Sequence, residues 1–202
     1  MPYRQTQRSK ARKQEKRNAI LEAALRLFAA RGFEATGMRD IAAEAHTSIG
    51  NCYFYFRDKE AVLLAVVDES IEAVSTVADA AAREHQSKGP VAQARAMVET
   101  GMQEALRRPR ATGLLLSQAT RQAVRERIRR HFTARTARFF AAHPELTGGK
   151  SPTLIATAWQ GVILNVLEAR LAGELDESAD ALATFVADWN LGAIGHGPAA
   201  IG

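Results

Sequence analysis

Residues 36–63 read TGMRDIAAEA–HTSIGNCYFYF–RDKEAVL, and the order of local signals in this stretch decides the fold. Gly37 is a passable N-cap for a short helix expected from about Met38 to Ala45. His46 and Thr47 follow as a tight turn. Ser48 is then a good N-cap for another short helix ending at Tyr55 or Phe56, and Asp58 caps a long one. Working outward to the N-terminus, Ile20, Ala24, Leu27 and Phe28 share one helical face that Leu21 and Leu25 broaden. Gly32 stands where a left-handed residue ends that helix, and Phe33 where a closing contact onto Phe28 is expected.

Towards the C-terminus the helical period continues through Val62, Ala65, Val66, Glu69, Ala73 and Val77 until the His-Gln-Ser-Lys-Gly-Pro break at 85–90. Further helices are expected near 91–108, 110–118, 120–142, 152–173 and 178–194, punctuated by Pro109, His143-Pro144, Gly148-Gly149 and Gly173. Strand signals are nearly absent, and no repeat with a solenoid-like period is visible. The fold class is therefore all-α with about nine helices. A basic flexible arm is expected over 1–16, a three-helix domain over 17–64, a larger helical domain over 65–195 and a frayed tail over 196–202.

Composition narrows the function classes. The chain has 202 residues, 47% hydrophobic and 24% charged, enough for a substantial core. Cys52 is the only cysteine, which excludes an internal disulfide framework or a Cys-rich zinc module and fits a reducing cytoplasm. No signal peptide is evident, and the longest uncharged run, 151–167, falls short of the roughly 20 apolar residues a bilayer span needs. The five histidines, His46, His85, His131, His143 and His196, are scattered without an i, i+4 pair, so no metal site is expected. No nucleophile elbow, zincin helix, phosphate-binding loop or Cys-x-x-Cys pair is present. Neither a cofactor nor catalysis is expected.

Charge is concentrated at the N-terminus. Residues 1–17 hold Arg4, Arg8, Lys10, Arg12, Lys13, Lys16 and Arg17 against Glu15 alone, whereas the whole chain has a net charge of +5. Such an arm points to a polyanion, either nucleic acid or an anionic membrane surface. The arm lacks the Leu, Phe or Trp that interfacial insertion requires, which favours nucleic acid over the membrane.

Three short helices with a tight turn between the second and third describe a helix-turn-helix, whose third helix enters the major groove. Gly50 permits close backbone approach, Asn51 can offer its amide to a base edge, and the Tyr53 and Tyr55 hydroxyls can reach phosphate. Cys52 and Phe56, four apart, are expected to face the core. Tyr53 can equally be a half-buried packing residue.

The combination of Arg39-Asp-Ile-Ala42, Ser48-x-Gly50, Tyr53-x-x-Phe56 and Asp58-Lys-Glu60 resembles the DNA-binding domain of TetR-family transcriptional regulators over about residues 17–64. The resemblance implies phosphate contacts for Arg39, Ser48, Tyr53, Tyr55 and Lys59, and a groove-facing set of Thr47, Ile49, Gly50 and Asn51. Lys59 would act at a helix N-terminus, where the dipole also favours an anion. Two positions depart from the family pattern. His46 replaces the usual turn glycine, which is tolerable because His is enriched at positive φ. Ile49 replaces a polar or basic residue and can touch a thymine methyl. Because residues 18–66 are near neutral, Arg8, Lys10, Arg12 and Lys13 are expected to supply much of the non-specific attraction to double-stranded DNA.

A helix-turn-helix normally reads two half-sites as a homodimer. The 152–173 helix is apolar on more than one face, and Leu182, Phe185, Val186 and Trp189 form a stripe on the last. Ile155, Trp159, Val162 and Val166 with that stripe are the expected interface, a fully buried central helix in a monomer being the alternative. The resemblance further implies a cavity for a small-molecule effector, with Met97, Met102, Phe132, Phe139, Trp159, Gln160 and Asn165 as candidates for its lining; each can equally be core packing. Arg121, Arg125, Arg127, Arg129, Arg130, Arg135 and Arg138 spread around the 120–142 helix, as a solvated face or as holders of an anionic effector. The implied function is a repressor that leaves a palindromic operator when the effector binds. The alternatives are an anionic-membrane-binding protein and a helical enzyme.

Overall fold

The computed structural model describes residues 7–117 and 122–195. Arg4, Arg121 and the tail 196–202 lie outside the described residues, as does the side chain of Arg8. Among the described residues the chain forms nine α-helices and two short 3₁₀ turns, without a strand. It divides into two units, one up to Glu69 and one from Ser70.

The first unit contains α1 (Gln7–Arg31), α2 (Met38–Glu44), α3 (Ile49–Tyr55) and the start of α4 (Lys59–Glu84). α1 begins within the basic segment because Gln, Arg, Lys, Ala and Glu are all good helix formers and neither Gly nor Pro interrupts them before Gly32. Each added residue extends an existing helix, so no second nucleation cost arises. The helix stops at Gly32 (φ +83°), whose N–H donates to Phe28 O at 3.0 Å. Phe33 then packs on Phe28 with ring centroids 5.5 Å apart, the closing contact expected from sequence.

α2 is fixed at its start by Asp40, whose Oδ2 accepts from Gly37 N at 2.8 Å and also pairs with Arg31 at 2.8 Å. His46 takes φ +49° and turns the chain into α3. Ser48 Oγ accepts from Asn51 N at 3.1 Å, and Asp58 Oδ1 from Ala61 N at 2.7 Å, capping α3 and α4. α2 packs on both α1 and α3. Ile20, Leu21, Ala24, Phe28, Ile41, Cys52, Phe56, Val62, Leu63 and Val67 are buried. Burial also pushes the Cys52 thiol pKa upward.

The second unit continues α4 and adds α5 (Pro90–Arg107), α6 (Pro109–Leu116), α7 (Gln122–Ala142), α8 (Pro152–Ala172) and α9 (Ala179–Ala193). Pro occupies the first position of α5, α6 and α8, where its missing N–H costs no helical hydrogen bond. α5 packs on α9 and α7 on α8. Their core includes Val98, Met102, Phe140, Ile155, Trp159, Leu182, Val186 and Leu191. Phe140 meets Trp159 edge-on at 4.9 Å, and Arg95 ties α5 to α9 through Asp188 at 2.5 Å. That hydrogen bond raises the Arg95 pKa further, keeping the guanidinium charged.

Candidate nucleic-acid interface and ligand cavity

α3 buries Cys52 on one side and turns a mostly exposed face outward. Ile49, Tyr53 and Phe54 are 38, 51 and 68% exposed, large values for apolar or aromatic side chains on so short a helix. Gly50 is exposed as well, and a Cβ there would meet nothing nearer than Ser48 Oγ at 4.0 Å. The unit's own packing therefore does not require glycine at position 50.

Thr47 and Asn51 flank the cap of this helix. The Asn51 amide donates to Thr47 Oγ1 at 2.7 Å, so both polar groups are held in one arrangement before any partner arrives. Arg39 and Ser48 are exposed, and Tyr55 is half-buried against Phe54 with ring centroids 5.1 Å apart. Lys13 places its ammonium 5.1 Å from the centre of the Phe54 ring, a cation–π contact between the basic start of α1 and the outer face of α3. The sequence does not single out Phe54, because its neighbours Tyr53 and Tyr55 carry the hydroxyls. Its exposure is the signal, and only the structure supplies it.

Charge partitions cleanly around this face. Arg17 pairs with Glu69, Arg26 with Glu44, Arg31 with Asp40 and Arg57 with Asp58. Lys10, Arg12, Lys16 and Arg39 are exposed and pair with no carboxylate among the described residues. Lys59 is different. Its ammonium donates to Phe33 O at 2.7 Å and Glu34 O at 3.4 Å and lies 4.1 Å from the Phe33 ring centre. Lys59 therefore fastens the loop between α1 and α2; the phosphate contact implied for it by the sequence resemblance is a separate role.

The family model for "Bacterial regulatory proteins, tetR family" matches residues 20–66, the span just described. Over these residues the chain matches the tetR family. YuxN of Bacillus subtilis (strain 168), an uncharacterised HTH-type transcriptional regulator, is 44% identical over 54 residues, 27% of this chain. The matched stretch spans only 19% of YuxN's own length. Across almost the whole chain the fold is shared with a putative TetR-family regulator from Syntrophomonas wolfei, with a TM-score of 0.79, 15% identity and coverage of 94% of this chain and 99% of that one. SmeT, the repressor of the Stenotrophomonas maltophilia multidrug efflux pump SmeDEF, gives a TM-score of 0.73 at 23% identity, covering 88% of this chain and 89% of SmeT. SmeT is also known as a complex with triclosan.

In the second unit, side chains of α4 to α8 line a cavity. Met97, Met102, Phe132, Phe139, Trp159 and Gln160 all line it. Gln160 is buried, and its amide donates to Thr136 Oγ1 at 3.0 Å. Trp159 Nε1 is buried without a hydrogen-bond partner, the kind of unmet donor that a bound molecule can satisfy. Asn165 does not belong to this wall: it is exposed, and its amide donates to Gly161 O at 2.8 Å. Its position, five residues after Gln160, turns it to the other side of α8.

The expected interface residues also separate. Ile155, Trp159, Leu182 and Val186 are at most 5% exposed and belong to the unit's own core, so they are not available to a second copy. Val162 and Val166 are half-buried against that core. Phe185 and Trp189 are 56 and 60% exposed and stack at 6.2 Å, and Leu154 on α8 is 62% exposed. The outward face of α8 therefore begins at Leu154, one residue before the stripe read from sequence. At 100° per residue, that offset exchanges an exposed side chain for a core one.

Proposed function

We propose that the chain is a DNA-binding transcriptional regulator rather than an enzyme, acting as a cytoplasmic homodimer on a palindromic operator. α3 enters the major groove, Thr47, Ile49, Gly50 and Asn51 face base edges, and Arg39, Ser48, Tyr53 and Tyr55 hold phosphates. The basic start of α1, with Arg8, Lys10, Arg12 and Lys13, supplies sequence-independent attraction. The observation that carries this reading is the outward face of α3, where exposed aromatic and aliphatic side chains surround a glycine that the local packing does not demand. Two copies meet through Leu154, Phe185 and Trp189, since large apolar side chains this exposed gain most from a partner's surface.

A small molecule filling the α4–α8 cavity releases the operator, which makes the regulator a repressor. α4 contributes to both units: it lines the cavity with Ser70, Val74 and Ala78, and its N-terminal part belongs to the DNA-binding unit. The SmeT–triclosan complex supports an effector in a protein of this fold. Footprinting on a bound genomic fragment tests the reading. Two protected major-groove segments about 34–36 Å apart, or a multiple of that spacing, are expected for a dimeric helix-turn-helix. A single unpaired footprint would refute the two-fold mode.

A further inference from the structure

Beside the inner cavity lies a second cleft that opens to solvent, and the two share Met97, Arg135 and Phe139 as a common wall. Their chemistries are opposite. The inner cavity is lined almost entirely by apolar side chains, and Gln160 there is already engaged with Thr136. An ionised group placed in it would lose its water without gaining a free counter-charge. The outer cleft instead carries three guanidinium groups, Arg83, Arg135 and Arg138, against the single carboxylate of Asp79.

Arg135 is committed to Asp79, to which both its Nε (3.1 Å) and a terminal nitrogen donate. Arg83 and Arg138 are exposed and pair with no carboxylate among the described residues. They stand on α4 and α7, and both line the cleft. Planar guanidinium donors of this kind match carboxylate and phosphate oxygens.

We propose, resting on the reading of this unit as an effector-binding domain, that the effector is an amphiphilic anion: an apolar body in the inner cavity and a carboxylate or phosphate head in the outer cleft, received by Arg83 and Arg138. Met97, Arg135 and Phe139 border both compartments, so a molecule long enough to lie along these side chains would span the two. A wholly neutral ligand would use only the first.

Calorimetric titration of the full-length protein with decanoate, decyl phosphate, decan-1-ol and acetate tests this, each kept below its aggregation concentration. Two partly solvated arginine contacts predict that the decyl anions bind about tenfold tighter than decan-1-ol, with acetate not binding. The tighter of the two anions identifies the head group. The double variant Arg83→Gln/Arg138→Gln is expected to lower both anions to the level of decan-1-ol while leaving the alcohol unchanged. If decan-1-ol matches the anions in the unaltered protein, the anionic head is refuted and the apolar cavity stands. Equal weakening of anions and alcohol in the double variant also refutes the head-group role. If no decyl compound binds at all, the effector-cavity reading fails with it.

Discussion

The amide of Asn51 donates to the hydroxyl of Thr47 across the first turn of α3, at 2.7 Å. In the proposed binding mode this bond orders the rotamer of the side chain assigned to adenine ahead of binding.

Asn51→Ala is therefore expected to relax base preference at one position per half-site, costing about 1–3 kcal/mol on the preferred operator. Thr47→Val removes the acceptor and should weaken discrimination at the same position by less. The double variant should be non-additive, because the two residues act through one bond. Competition binding with single-base operator variants measures all three. Tyr53→Phe, by comparison, should weaken every sequence alike; if Asn51→Ala behaves the same way, Asn51 is not a base reader.

Removing residues 1–13 takes away the unpaired Lys10 and Arg12, and Lys13 with its ammonium over Phe54. The slope of log affinity against log salt should flatten by about 0.9 for each phosphate that is no longer neutralised, with operator preference largely intact. Titrations at several salt concentrations provide the readout. An unchanged slope would exclude the segment from DNA binding.

Lys59 provides a third test, since its ammonium fastens the α1–α2 loop. Lys59→Met keeps the stem over Phe33 but removes the charged donor from the Phe33 and Glu34 carbonyls. Chemical denaturation should show a drop in stability of about 1.5–3 kcal/mol, the range for hydrogen bonds to charged groups. A lysine that only grips phosphate would instead leave stability unchanged and lower affinity alone.

Phe185 and Trp189 carry the association prediction. Trp189→Glu, or Phe185→Glu, puts a charge at the proposed interface and should shift the protein to monomer in sedimentation. Helix content should be kept, because both side chains are already exposed within their own unit. Retention of the dimer in both variants would move the interface elsewhere.

Much of the first unit is legible in sequence because its signals are local. The caps at Ser48 and Asp58, the left-handed Gly32 and the turn at His46 depend on residues within a few positions of one another. The cavity is legible only through the family resemblance, because helical spacing does not separate a cavity wall from packed core, nor inward aromatics from outward ones such as Phe185 and Trp189. What sequence does not reveal depends on rotation or on long-range partners. On α8, apolar on several faces, periodicity does not separate Ile155, facing the core, from Leu154, facing out. Lys59 finds carbonyls some 25 positions away, which no spacing rule anticipates. The basic segment from Gln7 reads as a tail by charge but is helical by propensity, and the helix prevails because α1 already exists to be extended.

Selection of duplexes from a random pool by the purified protein tests the central claim most directly. The account predicts an inverted repeat whose half-site centres lie about 10 base pairs, or a multiple of one helical turn, apart. Recovery of no enriched sequence at low salt, or of one asymmetric half-site bound by a single subunit, would contradict it.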